Sequence, residues 1–214
     1  MIRLQTLGGA ALYGDSGEIL LGAASQRRTL GLLSILAAAG EGGLSRDKLV
    51  GILWPQSSPK RARHSLTQAL YAARKAVDCD DLVAASEDVR LNGARISADV
   101  GEFEAALAAG DDVTAAALYR GPFLDGFYLA SPEFDWWLHN QRTRLEAAAG
   151  GLRRLATIRP SDSAVAVRLM QALAAAGDRA EALRHAQDHA RLLREQYELE
   201  PEPAVVELAA ELWE

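Results

Sequence analysis

Cysteine is nearly missing from this chain of 214 residues: Cys79 stands alone. A single cysteine excludes an intramolecular disulfide and a cysteine-rich metal site, and it suits a reducing compartment. Nothing cationic is clearly placed to lower its pKa, so an inert thiol is favoured over a redox sensor. Long apolar runs are missing as well. The longest, Leu30 to Gly40, is interrupted by Ser34 and falls far short of the ~20 residues a bilayer-spanning helix needs. The opening MIRLQTLGG lacks the charged-then-apolar layout of a secretory signal. A soluble, cytoplasmic chain without membrane association is expected. No glycine-rich phosphate loop, HExxH or GxSxG occurs, so neither an enzyme nor a bound cofactor is expected. His185 and His189 are spaced one turn apart on an expected helix, but no third ligand is suggested nearby, and a surface pair is favoured over a metal site. The acidic groups Asp111-Asp112 and Asp78, Asp80, Asp81 lack calcium-loop spacing and read as caps and turns.

Positive charge is also in deficit, with a formal net charge of −6, which taken alone argues against a nucleic-acid partner. Its distribution argues the other way. Residues 1–97 carry twelve Lys/Arg and nine Asp/Glu, a balance of +3, whereas residues 98–214 carry eleven and twenty, a balance of −9. From Arg46 to Lys75 there are seven basic residues against one acid, Asp47. A local excess of that size attracts a polyanion whatever the total charge. The asymmetry suggests two domains, 1–97 and 98–214.

The first of these reads as α+β. IRLQTLGGAALYGDSGEILL alternates apolar and polar residues between glycine-rich turns, which predicts two or three short antiparallel strands. From about Ser25 the period becomes helical, ending at Gly40 and Gly42-Gly43. Ser45 suits the N-cap of a short helix that Trp54-Pro55 stops. Ser58 suits the cap of a third helix with Pro59 at its first position, running to about Val77. LVAAS and VRLN flank Glu87-Asp88 as a hairpin, and ARIS follows Asn92-Gly93 as a returning strand. Strands, three helices and a terminal ribbon make a winged helix-turn-helix, in which the last helix enters the major groove of DNA.

Projected at 100° per residue, that helix places Ala62, Leu66, Ala69, Leu70, Ala73 and Val77 on a core face. Lys60, His64, Gln68, Tyr71 and Lys75 gather opposite. Arg61, Thr67 and Arg74 lie at the edges of the polar face, and Arg63 sits at the border with the core. These residue types suit phosphates and base edges, and the face holds no acid. A helix that is merely solvated usually mixes both signs. The plain alternative, a basic but idle surface, stays open at this point.

Several segments together resemble a known family. RLQTLGG, LGLLSILAAAG, LSRDKLVGILWP, ARHSLTQALYAARKAV and RLNG…ADVGEFEAAL resemble the winged-helix half of the SARP family of bacterial transcriptional activators, whose DNA-binding domain is of the OmpR type. ALYRGPFLDGF, PEFDWWLHNQRTRLE and RLMQALAAAGDRAEALRHAQDHARLLREQYELEPEP resemble the bacterial transcriptional activator domain that follows it. The resemblance covers nearly the whole chain, and its specificity lies in the order of the segments. It implies that the helix from Pro59 to Val77 reads tandem or direct-repeat sites in the major groove. It also implies backbone contacts from Arg46 and Lys48, wing contacts from Arg90 and Arg95, and a packing as well as a phosphate role for Arg63. RNA polymerase would meet the loop bearing Gln56, Ser57 and Ser58. The implied partners are double-stranded DNA, RNA polymerase and, on DNA, a second copy of the chain.

Residues 98–214 read as helical throughout. Asp99 and Glu102 have capping-box spacing, with Phe103 and Leu107 on the buried face. Ala115 to Tyr119 is a second short helix. Ser131-Pro132 opens a long helix carrying Phe134, Trp137, Leu138, Leu145 and Leu152. In that helix one of Trp136 and Trp137 is expected in the core and the other half exposed or at an interface, rather than both stacking on a ligand. Helices over Asp162–Ala176 and Arg179–Tyr197 flank Gly177-Asp178 as one tetratricopeptide-like hairpin, and Pro201 and Pro203 precede a last short helix. The family has a further helix pair where GGLRRLATIRPSD passes straight across, which implies either a shortened helical domain or a piece lacking from the chain as given. Two function classes follow. One is a sequence-specific transcriptional activator. The other is an interaction or signalling module that keeps the winged-helix shape without binding DNA, a reading left alive by the modest +3 of the first domain.

Overall fold

The computed structural model describes residues 1–22, 26–85, 88–149, 159–175 and 178–213. Strands β1 (Ile2–Gln5), β2 (Ala11–Tyr13) and β3 (Ile19–Gly22) form an antiparallel meander. Helices α1 (Arg27–Ala39), α2 (Arg46–Leu53) and α3 (Pro59–Ala76) follow, with the short strand β4 (Leu44–Ser45) just before α2. Strands β5 (Val83–Ala85) and β6 (Asp88–Leu91) make the hairpin, and β7 (Ile96–Ala98) returns to pair in parallel with β1. The two sheets run β3-β2-β1-β7 and β4-β6-β5. The expected winged helix is therefore present, with its order of elements as read.

Local chemistry accounts for the turns. The Ser45 hydroxyl accepts from the Lys48 N–H at the start of α2, as expected of an N-cap. Gly43 adopts φ 64°, and a Cβ there would lie 2.5 Å from the Val89 carbonyl oxygen. Only glycine lets β4 close on β6 at that point. The tip of the hairpin at 86–87 lies outside the described residues, as do Ala176, Gly177 and the whole GGLRRLATI segment, 150–158, with Leu152, where the family's further helix pair would lie.

Helices α4 (Asp99–Ala108), α5 (Asp112–Leu118), α6 (Pro132–Ala149), α7 (Ser163–Ala175), α8 (Arg179–Tyr197) and α9 (Pro203–Trp213) complete the described chain. The chain packs as two units: Met1–Glu102 with Phe123–Arg144, and Phe103–Pro122 with Leu145–Glu214. The sequence suggests a single boundary at 97/98, whereas residues 123–144 pack with the winged helix. The reason is a set of long-range hydrogen bonds. Leu7 bridges Phe123, and the Leu124 N–H donates to the Thr6 carbonyl at 2.7 Å. The Arg142 guanidinium donates to the carbonyls of Phe123 and Leu124 at 2.8 and 2.7 Å. The Ser131 hydroxyl donates to the Ile52 carbonyl at 2.8 Å.

Asp99 differs from expectation too. Its carboxylate does not serve a local capping box. It is 4% exposed and accepts from the Thr6 N–H and hydroxyl and from the Leu7 N–H. Burial pushes the Asp99 carboxyl above its ordinary pKa, while the donors from Thr6 and Leu7 pull the other way.

In the second unit, α7 and α8 form the helical hairpin and α9 packs on it. Leu169, Met170, Leu173, Ala182, Ala186 and Val205 make that core. Phe103 stacks against Tyr119 with ring centroids 5.5 Å apart. His189, expected on the surface, is 4% exposed. Its Nδ1 meets the Pro160 carbonyl at 2.9 Å and its Nε2 the Ser163 hydroxyl at 3.1 Å. Helix α8 turns this face inward, and both ring nitrogens are satisfied within the protein. His185 is half-buried, and burial followed by the nearby His189 holds its pKa below the ordinary value. The Trp pair in the first unit sits further out than expected: Trp136 is 71% exposed, and Trp137 is half-buried, packing on Phe134 and Phe123. No helix among the described residues is long and apolar enough to cross a membrane.

Replacing Asp99 with Ala strands the buried N–H groups of Thr6 and Leu7, which should cost about 2–4 kcal/mol. Urea unfolding followed by circular dichroism measures it; a loss below about 0.5 kcal/mol would contradict the account.

Candidate nucleic-acid interface

Helix α3 carries the candidate interface, and its alanines explain how it is seated. Ala62, Leu66, Ala69, Leu70 and Ala73 are buried, and the helix packs on α1 and α2 through them. Small side chains at this spacing let the backbones approach closely. Ser58 is extended, and Pro59 takes the first helical position, where its missing N–H costs nothing. Val77, expected on the core face, is only half-buried and ends the helix.

The opposite face stands in solvent. Lys60, Arg61, Arg63, His64, Thr67, Gln68, Tyr71 and Lys75 are all exposed, with Tyr71 at 61%. The Thr67 hydroxyl donates back to the Arg63 carbonyl at 3.0 Å, which leaves its oxygen free to accept. Arg63 pairs with Asp47 at 3.2 Å, both largely exposed. Such a pair contributes little stability, but it links α2 to α3 and partly offsets one cation of the face.

Two arginines are committed elsewhere. Arg74 is half-buried, and its Nη2 donates to the Val83 carbonyl of β5 at 3.0 Å. It fastens the hairpin to the end of α3, so it does not stand with the solvent-facing row. Arg95 follows the turn after β6, at the base of the hairpin. The ladder pairs Val83 with Leu91 and Ala85 with Val89, so the tip is at the other end. The Arg95 guanidinium holds both Asp81 carboxylate oxygens at 3.1 and 2.8 Å, and Asp81 holds its pKa above the ordinary value. Arg90 is exposed on β6 opposite Ala84. Arg46 and Lys48 are exposed on the first turn of α2, as are Gln56, Ser57 and Ser58 in the loop before α3. Cys79, near the base of the hairpin, has its thiol pKa raised, first by burial and then by its hydrogen bond with Asp81, so its reactive thiolate is disfavoured.

The start of α1 gave no signal of its own in the sequence. Arg27 and Arg28 open that helix, and no acid stands in its first turn. Arg28, Trp54, His64 and Gln68 line one open concavity of about 600 Å³ beside the polar face of α3. The dipeptide was visible in the sequence, but its nearness to α3 depends on how α1 and α3 cross.

Residues 136–213 match the family model described as the bacterial transcriptional activator domain. A search of curated proteins finds no significant match. Among solved structures, Mycobacterium tuberculosis EmbR, in a complex with a low affinity phosphopeptide, superposes with a TM-score of 0.50 at 20% sequence identity. The alignment covers 99% of this chain and 65% of that one; at this identity the likeness establishes the fold.

Truncating Arg74 to Ala should cost about 1–2 kcal/mol through the lost bond to Val83, with hydrogen exchange of the β5–β6 amides rising in step. Unchanged exchange in the hairpin would show that Arg74 does not hold it.

Proposed function

We propose that this chain, whose fold and activator domain bear out its likeness to the SARP-type bacterial transcriptional activators, binds double-stranded DNA in a sequence-specific way through α3. The observation that carries the reading is the acid-free, solvent-facing row on that helix: Lys60, Arg61, His64, Thr67, Gln68, Tyr71 and Lys75. Gln68, with His64 and Arg61 beside it, is suited to base edges in the major groove, while Lys60, Tyr71 and Lys75 are suited to phosphates. Arg46 and Lys48 of α2 would hold the backbone on one flank, and Arg90 would do so from the hairpin. Arg63 would serve chiefly the α2–α3 link, and Arg74 and Arg95 the anchoring of the hairpin.

Further parts of the same reading are activation of transcription, pairing of two copies on a repeated site, and contact of Gln56, Ser57 and Ser58 with RNA polymerase. These draw on the family resemblance, and the exposure of that loop is compatible with the last. Residues 1–97 would form the DNA-binding domain and residues 98–214 the activator domain, with 123–144 bracing the former.

The test is selection of bound fragments from a fragmented genomic library of the source organism, at two salt concentrations, with a Lys60→Ala/Gln68→Ala variant in parallel. The wild type should enrich a repeated motif that the variant loses, with affinity falling steeply as salt rises. Enrichment of nothing at low salt by the wild type would leave the interaction-module reading in its place.

A further inference from the structure

We infer that Arg28, at the start of α1, forms with His64 and Gln68 a seat for a DNA phosphodiester beside the reading face of α3. The inference rests on the proposed function and extends it to residues outside the helix-turn-helix.

Four observations carry it. Arg28 is exposed, and its guanidinium lies over the Trp54 ring, 5.9 Å from the ring centroid. Trp54 is 6% exposed, so the arginine rests on a fixed plate. A planar cation held in that way loses less rotamer freedom on meeting an anion than a free lysine does. The concavity that Arg28 lines also receives His64, Ser65 and Gln68 from α3, and no acid lines it among the described residues. Its volume of about 600 Å³ exceeds that of a lone phosphate and suits a stretch of sugar-phosphate backbone. Lastly, the first turn of α1 carries Arg27 and Arg28 where helix electrostatics favours acids. A cation there disfavours the free helix, and an anion in the concavity reverses that balance.

Because His64 and Gln68 belong to both the concavity and the α3 row, a backbone phosphate in this seat would fix the rotation of α3 about its own axis in the groove. Contacts of this kind position and do not specify. Arg28 therefore governs affinity and its salt dependence, and Gln68 governs sequence preference.

The test measures duplex binding against salt for the wild type, Arg28→Ala, Arg28→Gln, Arg28→Lys and Gln68→Ala. One duplex carries the motif selected by the wild type and one is scrambled. Arg28→Gln keeps a polar stem over Trp54 without charge, so it stands in if the alanine variant melts early. Loss of the charge should weaken both duplexes alike, on the order of fivefold, and reduce the slope of log affinity against log salt by about one. Arg28→Lys should restore the slope, and Gln68→Ala should lose preference while keeping it. Inorganic phosphate at constant ionic strength should not displace the duplex; displacement would mark a free-anion site and overturn the inference. Wild-type affinity and slope in Arg28→Gln, with preference lost in Gln68→Ala, would overturn it while leaving α3 as the reader. A wild type that binds neither duplex would remove both readings together.

Discussion

The N-terminal unit depends on a buried carboxylate, Asp99, whose hydrogen-bond donors among the described residues include no cation. Beyond Gln5, where β1 ends, the chain dives inward, and the N–H groups of Thr6 and Leu7 point at Asp99, which accepts from both. An ionised carboxylate is costly to bury, and several donors are what make the site tolerable. With Thr6 fixed, its carbonyl receives the Leu124 N–H, and Arg142 donates to the carbonyls of Phe123 and Leu124. This series of bonds brings the start of α6 to α2, where Ser131 donates to Ile52. Helix α3 packs on α2, so the orientation of the exposed row is set in part from a point far along the chain. Leu124 has φ 52°, an unfavourable value for leucine, and the bonds on either side of it are what hold it there.

Net charge is a poor guide to a molecule of this kind. Screening over about 8 Å at physiological salt means a bound strand responds to the side chains beside it and not to the sum. On α3 the residues beside it are cations and neutral hydrogen-bonding groups, with Asp47 paired to Arg63 at the margin. Arg28 adds a cation at the rim of the same face. The formal −6 of the whole chain is compatible with a locally positive surface that a duplex would meet.

What was legible in the sequence follows a physical division. Helical period, caps and turns are local, so the order of elements, the Ser45 cap and the buried stripe of α3 were readable. A partner across space is not. Arg74 has the same periodic position as a DNA contact, yet its guanidinium reaches a β5 carbonyl. Arg95, a wing contact by the family resemblance, lies by register at the hairpin base, paired with Asp81. Asp99 carries the pattern of a helix cap, but it also reaches Thr6 and Leu7 in the turn after β1. His189 sits on a helix rich in charge, and only the way α8 packs on α7 shows that its ring is enclosed. The placement of 123–144 with the winged helix was hidden for the same reason, since every bond that holds it joins residues remote in the chain.

The central claim is that α3 presents its polar row to DNA. The most direct measurement is a titration of the isotope-labelled protein with the selected duplex, following backbone amides and arginine Nε–H resonances by NMR. The account predicts the largest shifts and broadening over residues 60–71 and at Arg28, with the Arg74 and Arg95 side chains little changed. Shifts concentrated in α7–α9, or around Trp136 with α3 silent, would contradict it.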